Sequence, residues 1–505
     1  MRGPAFDSAG RRLLILAVLA ALAGAGCAGV FSRYDVAPNG LPRSEDRLRQ
    51  DLAFGRADSA LARLTAEKGG GPEDDLLRAL YAGILAHYAG AYDSSSAALQ
   101  RAAELAEDRY TKRVSRAALS FITSDNVLPY EPGWTERLLI HFYGALNYLR
   151  QGDREGAAVE ARRLAFLLER EAERKRDDRT TPLLATLRYF SGVVFEAAGE
   201  WNDADVAYRN AFQLLGRGDP APAPSDSLGT VVVVVEQGFV AHRVEQSIVA
   251  PIHPIEVEWL TRGDGEERAV AAAEIAARIV AEMLEWEVER PFYDRRPPTV
   301  YVHLPPDHYY QRLCEEALRK AKSDDEQRNG TDRENRECPG QGENPYLLRI
   351  AWPAFRLDRE PATGLRVLAG DAVAPLIYRA NVSEAVIRDF EEERTLLVAR
   401  TIARAASKMA LTRGIEKNIG KGDDAWIGRL LGAVTNVGTA ILEQADTRSW
   451  QLLPGQIGIA RLRLPAGTHD IVVEVPAGGQ RRQVPAGRVT VRTGEIAVLP
   501  VRIWQ

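Results

Sequence analysis

His303, Asp307 and His308, in the string HLPPDH, are the residue types that bind zinc, which takes imidazole nitrogens and carboxylate oxygens in a tetrahedral shell. Two prolines stand between them at the expected end of a strand, a geometry that does not bring three ligands together, so no metal is assigned. Acid pairs such as Glu315–Glu316, and the run Glu391–Glu393, carry the groups needed for general acid–base work. On charged helices such acids read as solvated faces. The chain contains no G-x-S-x-G elbow, no phosphate-cradling G-x-x-x-x-G-K-[ST] loop and no H-E-x-x-H helix. These absences point away from an enzyme and from any cofactor. A cell-wall or polysaccharide hydrolase using two carboxylates of the central region is the competing reading.

The other chemistry-bearing residues are three cysteines, Cys27, Cys314 and Cys338. Cys27 ends the stretch RRLLILAVLAALAGAGC, in which two arginines precede an apolar run about the length of a secretory signal core. Small residues crowd up to the cysteine, and the arrangement resembles the lipobox of bacterial lipoproteins, with Gly24 where that pattern prefers leucine. The resemblance implies cleavage after residue 26, acylation of Cys27 and attachment to a membrane face through the acyl chains, at about 0.8 kcal/mol per buried CH₂. Ala28, in place of an acidic residue, implies sorting to the outer membrane. An uncleaved anchor helix over residues 13–30 is the alternative, and it also leaves the bulk of the chain facing the periplasm. With Cys27 acylated, Cys314 and Cys338 form an even pair flanking the polar segment KSDDEQRNGTDRENRE. In an oxidising compartment they are expected to form a disulfide, contributing about 3 kcal/mol by loop closure.

At 505 residues, with 45% hydrophobic and 27% charged side chains, the chain has ordinary globular composition and enough length for two to four domains. Loss of residues 1–26 would remove three arginines and one aspartate and take the formal charge from −5 to −7. An acidic chain without a concentrated basic face is not a nucleic-acid binder.

Residues 27–43 read as a tether, and residues 44–215 have a helical period with repeating punctuation. Gly55, Gly90, Gly152 and Gly199 each follow an apolar helix, and Ala60, Ser95, Ala157 and Ala204 stand five residues further on, where a second helix begins. The glycine intervals are 35, 62 and 47 residues, so three or four helix pairs interrupted by extra helix are expected. Such pairs resemble tetratricopeptide hairpins, which stack into a solenoid whose concave side receives a partner. The candidate groove residues are Tyr143, Tyr148, Arg162 and Arg163; the competing reading makes the tyrosines inter-helix core and the arginines a solvated face. Residues 216–229 are a Pro-rich linker.

Residues 230–444 alternate strand and helix signals, as an α/β or α+β domain would. TVVVVVEQG, Ile255–Leu260, residues 298–305 and residues 346–353 read as strands. Residues 269–290 and 383–413 read as amphipathic helices. The apolar, small-residue segment 425–444, with Gly428 and Gly432 four apart, reads as a buried helix, with a self-associating or membrane-touching helix as the alternative. Residues 445–505 change to short strands with Gly/Pro turns, expected as a small β-sandwich in which LPAGTH resembles the turn of a PEGA module. The expected fold is therefore multidomain α+β, with an N-terminal TPR-like α-solenoid, a central α/β or α+β domain and a C-terminal β-sandwich.

The junction E-x-A-D-T-R-S-W-x-x-L-P, from Glu443 to Pro454, is similar to a motif of a family of bacterial envelope lipoproteins with no assigned activity. VVVVVEQGFVAHRVE at 231–245 and YGALNYLRQGDREGAAVEARRL at 143–164 resemble other blocks of that family. Arg448 and Trp450 form either a ligand clamp or a seam between domains. Together these features imply a non-enzymatic, lipid-anchored scaffold binding another envelope protein, in cell-wall or outer-membrane biogenesis. A homo-oligomeric assembly component sealed by 425–444 is a further alternative.

Overall fold

The computed structural model describes residues 43–67, 74–111, 129–172, 177–216, 227–256, 346–394 and 445–504, with shorter pieces between 259 and 319 and between 397 and 402. Among the described residues eight helices come first: α1 (Arg43–Ala53), α2 (Ala57–Ala66), α3 (Asp75–Tyr88), α4 (Tyr92–Thr111), α5 (Trp134–Gln151), α6 (Arg154–Ala172), α7 (Thr181–Ala198) and α8 (Trp201–Leu215). They form four hairpins, and each turns on a glycine at positive φ: Gly55 at 71°, Gly90 at 77°, Gly152 at 80° and Gly199 at 79°. A left-handed residue lets the chain leave the helix while the last carbonyls keep partners, as where Gly152 N–H donates to Leu149 O at 3.2 Å. Ala60, Ser95, Ala157 and Ala204 are all buried, so the two helices of each hairpin approach closely.

Eleven strands follow among the described residues: β1 (Gly229–Gln237), β2 (His242–Ile252), β3 (Val300–Tyr301), β4 (Tyr346–Arg356), β5 (Arg366–Ala369), β6 (Ala372–Pro375), β7 (Tyr378–Asn381), β8 (Gln456–Leu464), β9 (Gly467–Ala477), β10 (Gln480–Val491) and β11 (Ile496–Ile503). They make a four-stranded sheet in the order β11-β1-β8-β7, a second in the order β10-β9-β5-β6, and a three-stranded sheet β3-β2-β4. Residues 271–279 and 382–394 are helical.

The valine run explains itself in this setting. β1 is parallel to β11 and antiparallel to β8, an interior strand with both faces covered. Val231, Val233 and Val235 join a cluster with Val367, Ile471 and Val473 of the second sheet. Val232 and Val234 point the other way, into a cluster with the first helices of the hairpins. A strand buried on both sides loses the alternation of polar and apolar residues and reads as continuous hydrophobe. The result is three layers: helices, one sheet, then the other.

Two expectations change. The division at residue 445 runs through these sheets, because β1, β5 and β7 pair with strands from beyond it. The strand expected at Ile255–Leu260 is not formed at its start: β2 ends at Ile252 and residues 254–256 are helical. Pro254 opens that turn, and Glu256 reaches back to accept from His253 N–H at 2.8 Å. The segment 425–444, most of the linker 216–229, the tether except Arg43, which opens α1, and residues 1–26 lie outside the described residues. Among the described residues no helix is long and apolar enough to cross a membrane.

Candidate functional site

The segment 445–454 threads between the helices and the sheets and holds them together with buried polar groups. Trp450 is 1% exposed, its ring centroid 6.2 Å from that of Tyr143, and its backbone N–H donates to Glu136 Oε1 at 2.9 Å. Glu136, in the first turn of α5, also accepts from Tyr130 OH at 2.5 Å and from Gly133 N–H at 3.0 Å. Arg448 donates through Nε and Nη2 to both oxygens of Asp446 at 2.8 Å and through Nη1 to Asp74 Oδ1 at 3.1 Å, just before α3. Arg448 and Trp450 are therefore committed to the seam.

Glu45 of α1 lies in the same seam. Its carboxyl is pushed up to about 7, first by burial, with Tyr81 and Arg49 pulling the other way. Tyr81 Oη stands 2.7 Å from Glu45 Oε1 and 2.8 Å from Ser449 O, with one proton for two acceptors. A protonated Glu45 resolves the conflict by donating to Tyr81, which then donates to the carbonyl. Gln451 Nε2 donates to Glu45 Oε2 at 2.8 Å.

Two further groups bind the layers. Arg461 of β8 makes a paired contact to Glu196 of α7, 2.9 Å and 2.7 Å, and Tyr208 OH donates to the same carboxylate at 2.5 Å. Glu236 of β1, also pushed up to about 7 by burial, faces Tyr143 and the Arg502 guanidinium. His87 is buried, donates from Nδ1 to Asn147 Oδ1 at 2.6 Å, and is pushed down to about 4 by burial.

The outer face of the second helices is different. Val159 and Phe166 on α6 are 43% and 63% exposed, and Trp201 and Val206 on α8 are 50% and 48% exposed. Arg162 lies between these helices and donates from Nη2 to Glu200 at 2.6 Å and 2.7 Å. Arg163 pairs with Glu160 at 2.7 Å.

The residues expected to line a partner groove are thus separated. Tyr143 is fully enclosed, Tyr148 is half-buried, and Arg162 and Arg163 sit on the exposed side of α6. The side of α5 and α7 where a partner was expected is filled by the chain's own β1, β7 and β8. Glu45, Tyr81, Glu136 and Arg461 were not singled out from the sequence. Glu45 and Glu136 carried a signal as acids in the first turns of helices; Arg461 carried none. Cys27, Cys338 and the trio His303, Asp307 and His308 lie outside the described residues, so the Cys314–Cys338 pairing and the metal reading do too. Among the described residues no cluster of three or more His, Cys, Asp or Glu is arranged to hold a metal. Compared with known protein families, curated proteins and solved structures, the chain matches none of them.

Proposed function

We propose that this chain is a lipid-anchored, periplasm-facing scaffold of the outer membrane that receives another envelope protein on the outer face of its helical hairpins. Acylated Cys27 supplies the membrane attachment, residues 27–43 the tether, and a Cys314–Cys338 disulfide braces the central segment. In this reading the hairpins are TPR-like repeats whose concave side is already taken by the protein's own sheet, and the two four-stranded sheets are a sandwich related to PEGA modules. The partner surface moves from the groove to α6 and α8.

The observation that carries the reading is the group Val159, Phe166 and Trp201 around the Arg162–Glu200 pair. Aromatic side chains with an arginine, held on rigid helices, are the composition of interface hot spots. A photo-crosslinking residue at position 166, compared in intact cells with one at Val373, which is also more than half exposed, tests it. One protein should be captured at 166 and not at 373, and capture at 166 should be lost when Val159→Asp and Trp201→Asp are added, with the melting temperature unchanged. Equal adducts at both positions would remove the surface from the reading, and an adduct of twice the chain mass would give the face to a second copy. Palmitate labelling that survives Cys27→Ala would remove the anchor.

A further inference from the structure

The sheet β10-β9-β5-β6 packs one face on the first sheet and turns the other outward, away from the helices. Val367, Ala374, Val473 and Val484 belong to the core between the two sheets. Alternation therefore points Leu368 of β5, Val373 of β6, Val472 of β9 and Pro485 of β10 outward. The register sets these four in one row, Pro485 opposite Val472, Val472 opposite Leu368, and Leu368 opposite Val373. Val373 is 51% exposed. A solvated face of an antiparallel sheet carries polar residues, so an apolar row across all four strands is out of place against water.

Charged groups flank the row on both sides. On one side Arg366 of β5 donates to Glu474 of β9 through Nη2 at 2.5 Å and Nε at 3.1 Å. On the other, Arg488 of β10 donates from Nε to Asp470 of β9 at 2.8 Å, and the turn between β5 and β6 presents Gly370 and the exposed Asp371. A twofold axis running along the strands, midway between β9 and β5, exchanges β9 with β5 and β10 with β6. Two copies stacked about it, aligned as packed sheets are, bring Val472 over Leu368 and Pro485 over Val373. Glu474 then stands over Arg366, Arg488 over Asp371, and Asp470 over Gly370, which has no side chain to obstruct it. A twofold along the apolar row would instead set Glu474 over Asp470, like charge on like.

We propose that this outward face docks a second copy of the chain, as an isologous dimer in which every contact occurs twice. The face spans four strands and four rows, from Arg481 opposite Pro476 to Arg488 opposite Asp470, about 14 Å by 20 Å between Cα atoms. That is the small end of specific interfaces, so the dimer is weak and dissociates on dilution. The proposal does not rest on the partner surface of α6 and α8, which lies on the other side of the first sheet.

Two differently tagged copies of the full chain, one with Val373→Cys and one with Pro485→Cys, are produced together and treated in intact cells with a short bis-maleimide. An adduct carrying both tags should form in at least tenfold higher yield than from two copies that both carry Val373→Cys, whose cysteines lie about 14 Å apart across the axis. Asp371→Lys added to both copies, at an exposed turn, sets a like charge over Arg488 and should lower the yield at least fivefold with the melting temperature unchanged. Should Pro485→Cys not accumulate, Gln483→Cys against Pro375→Cys reads the same register one row along, with Pro375→Cys in both copies as the comparison. Equal yields from mixed and matched copies, or no two-tag adduct above that of the unsubstituted chain, would overturn the proposal. So would a photo-crosslinking residue at 373 that captures a different protein and no second copy, since the face would then belong to that protein.

Discussion

Trp450 is fixed at both ends, its ring against Tyr143 and its backbone N–H on Glu136. Trp450→Ala is therefore expected to cost about 3–5 kcal/mol, read as a lower urea midpoint, because removal of a large buried ring leaves a cavity beside donors that cannot move. The buried acids give a pH dependence with a definite sign. Glu45 and Glu236 titrate near 7 in the folded chain against 4.5 when exposed, so between those values the folded state holds protons that the unfolded state releases. Their contribution is complete below pH 4.5 and is lost as the pH rises through 7, on the order of 3 kcal/mol for each. His87 opposes them: its contribution is complete above pH 6.5 and is lost as the pH falls through 4. In urea melts across this range, Glu45→Gln/Glu236→Gln should lose the parent's decline between pH 4.5 and 7 and retain the His87 decline on acidification. Little of this was legible beforehand. Arg49 meets His242 and Asp358 across 193 and 309 residues of chain, and no local pattern reports contacts of that range.

The hairpins were the most legible elements, because a glycine turn and a small residue five positions on are local signals that tertiary packing only had to accept. Gly192 shows how close that packing is: a Cβ there would stand 2.6 Å from Tyr208 Cε1. Gly192→Ala should lower stability by about 1–3 kcal/mol through overpacking, detected as a drop in melting temperature. The strands were less legible. The valine run announced a buried strand but not its neighbours, since two covered faces erase the periodicity that would name a side. The alternation at Ile255–Leu260 imitated a strand, and Pro254 with the returning Glu256 outweighed it locally.

At the scale of the whole molecule, the helices and the sheet β11-β1-β8-β7 share one continuous core, in which Tyr189 stacks on Tyr378 with ring centroids 4.3 Å apart. Urea unfolding followed by far-ultraviolet circular dichroism and by tryptophan fluorescence should give coincident transitions, and a helical transition separate from the sheet transition would contradict the shared core. An isolated fragment 445–505 should show no dispersed amide spectrum, because it lacks β1, the strand that fills the middle of its sheet.

The parallel pairing of β1 with β11 also sets a timetable. About 260 residues separate Gln237 from Ile496, so at about 5–20 residues/s the ribosome needs tens of seconds to supply the second neighbour of the valine strand. Until β8 is made both edges of the apolar run 230–235 stand open, one edge stays open until β11 follows, and for most of the interval the hairpins already synthesised have no sheet to cover. Such a nascent chain has to be shielded by a holding chaperone until its last strand arrives.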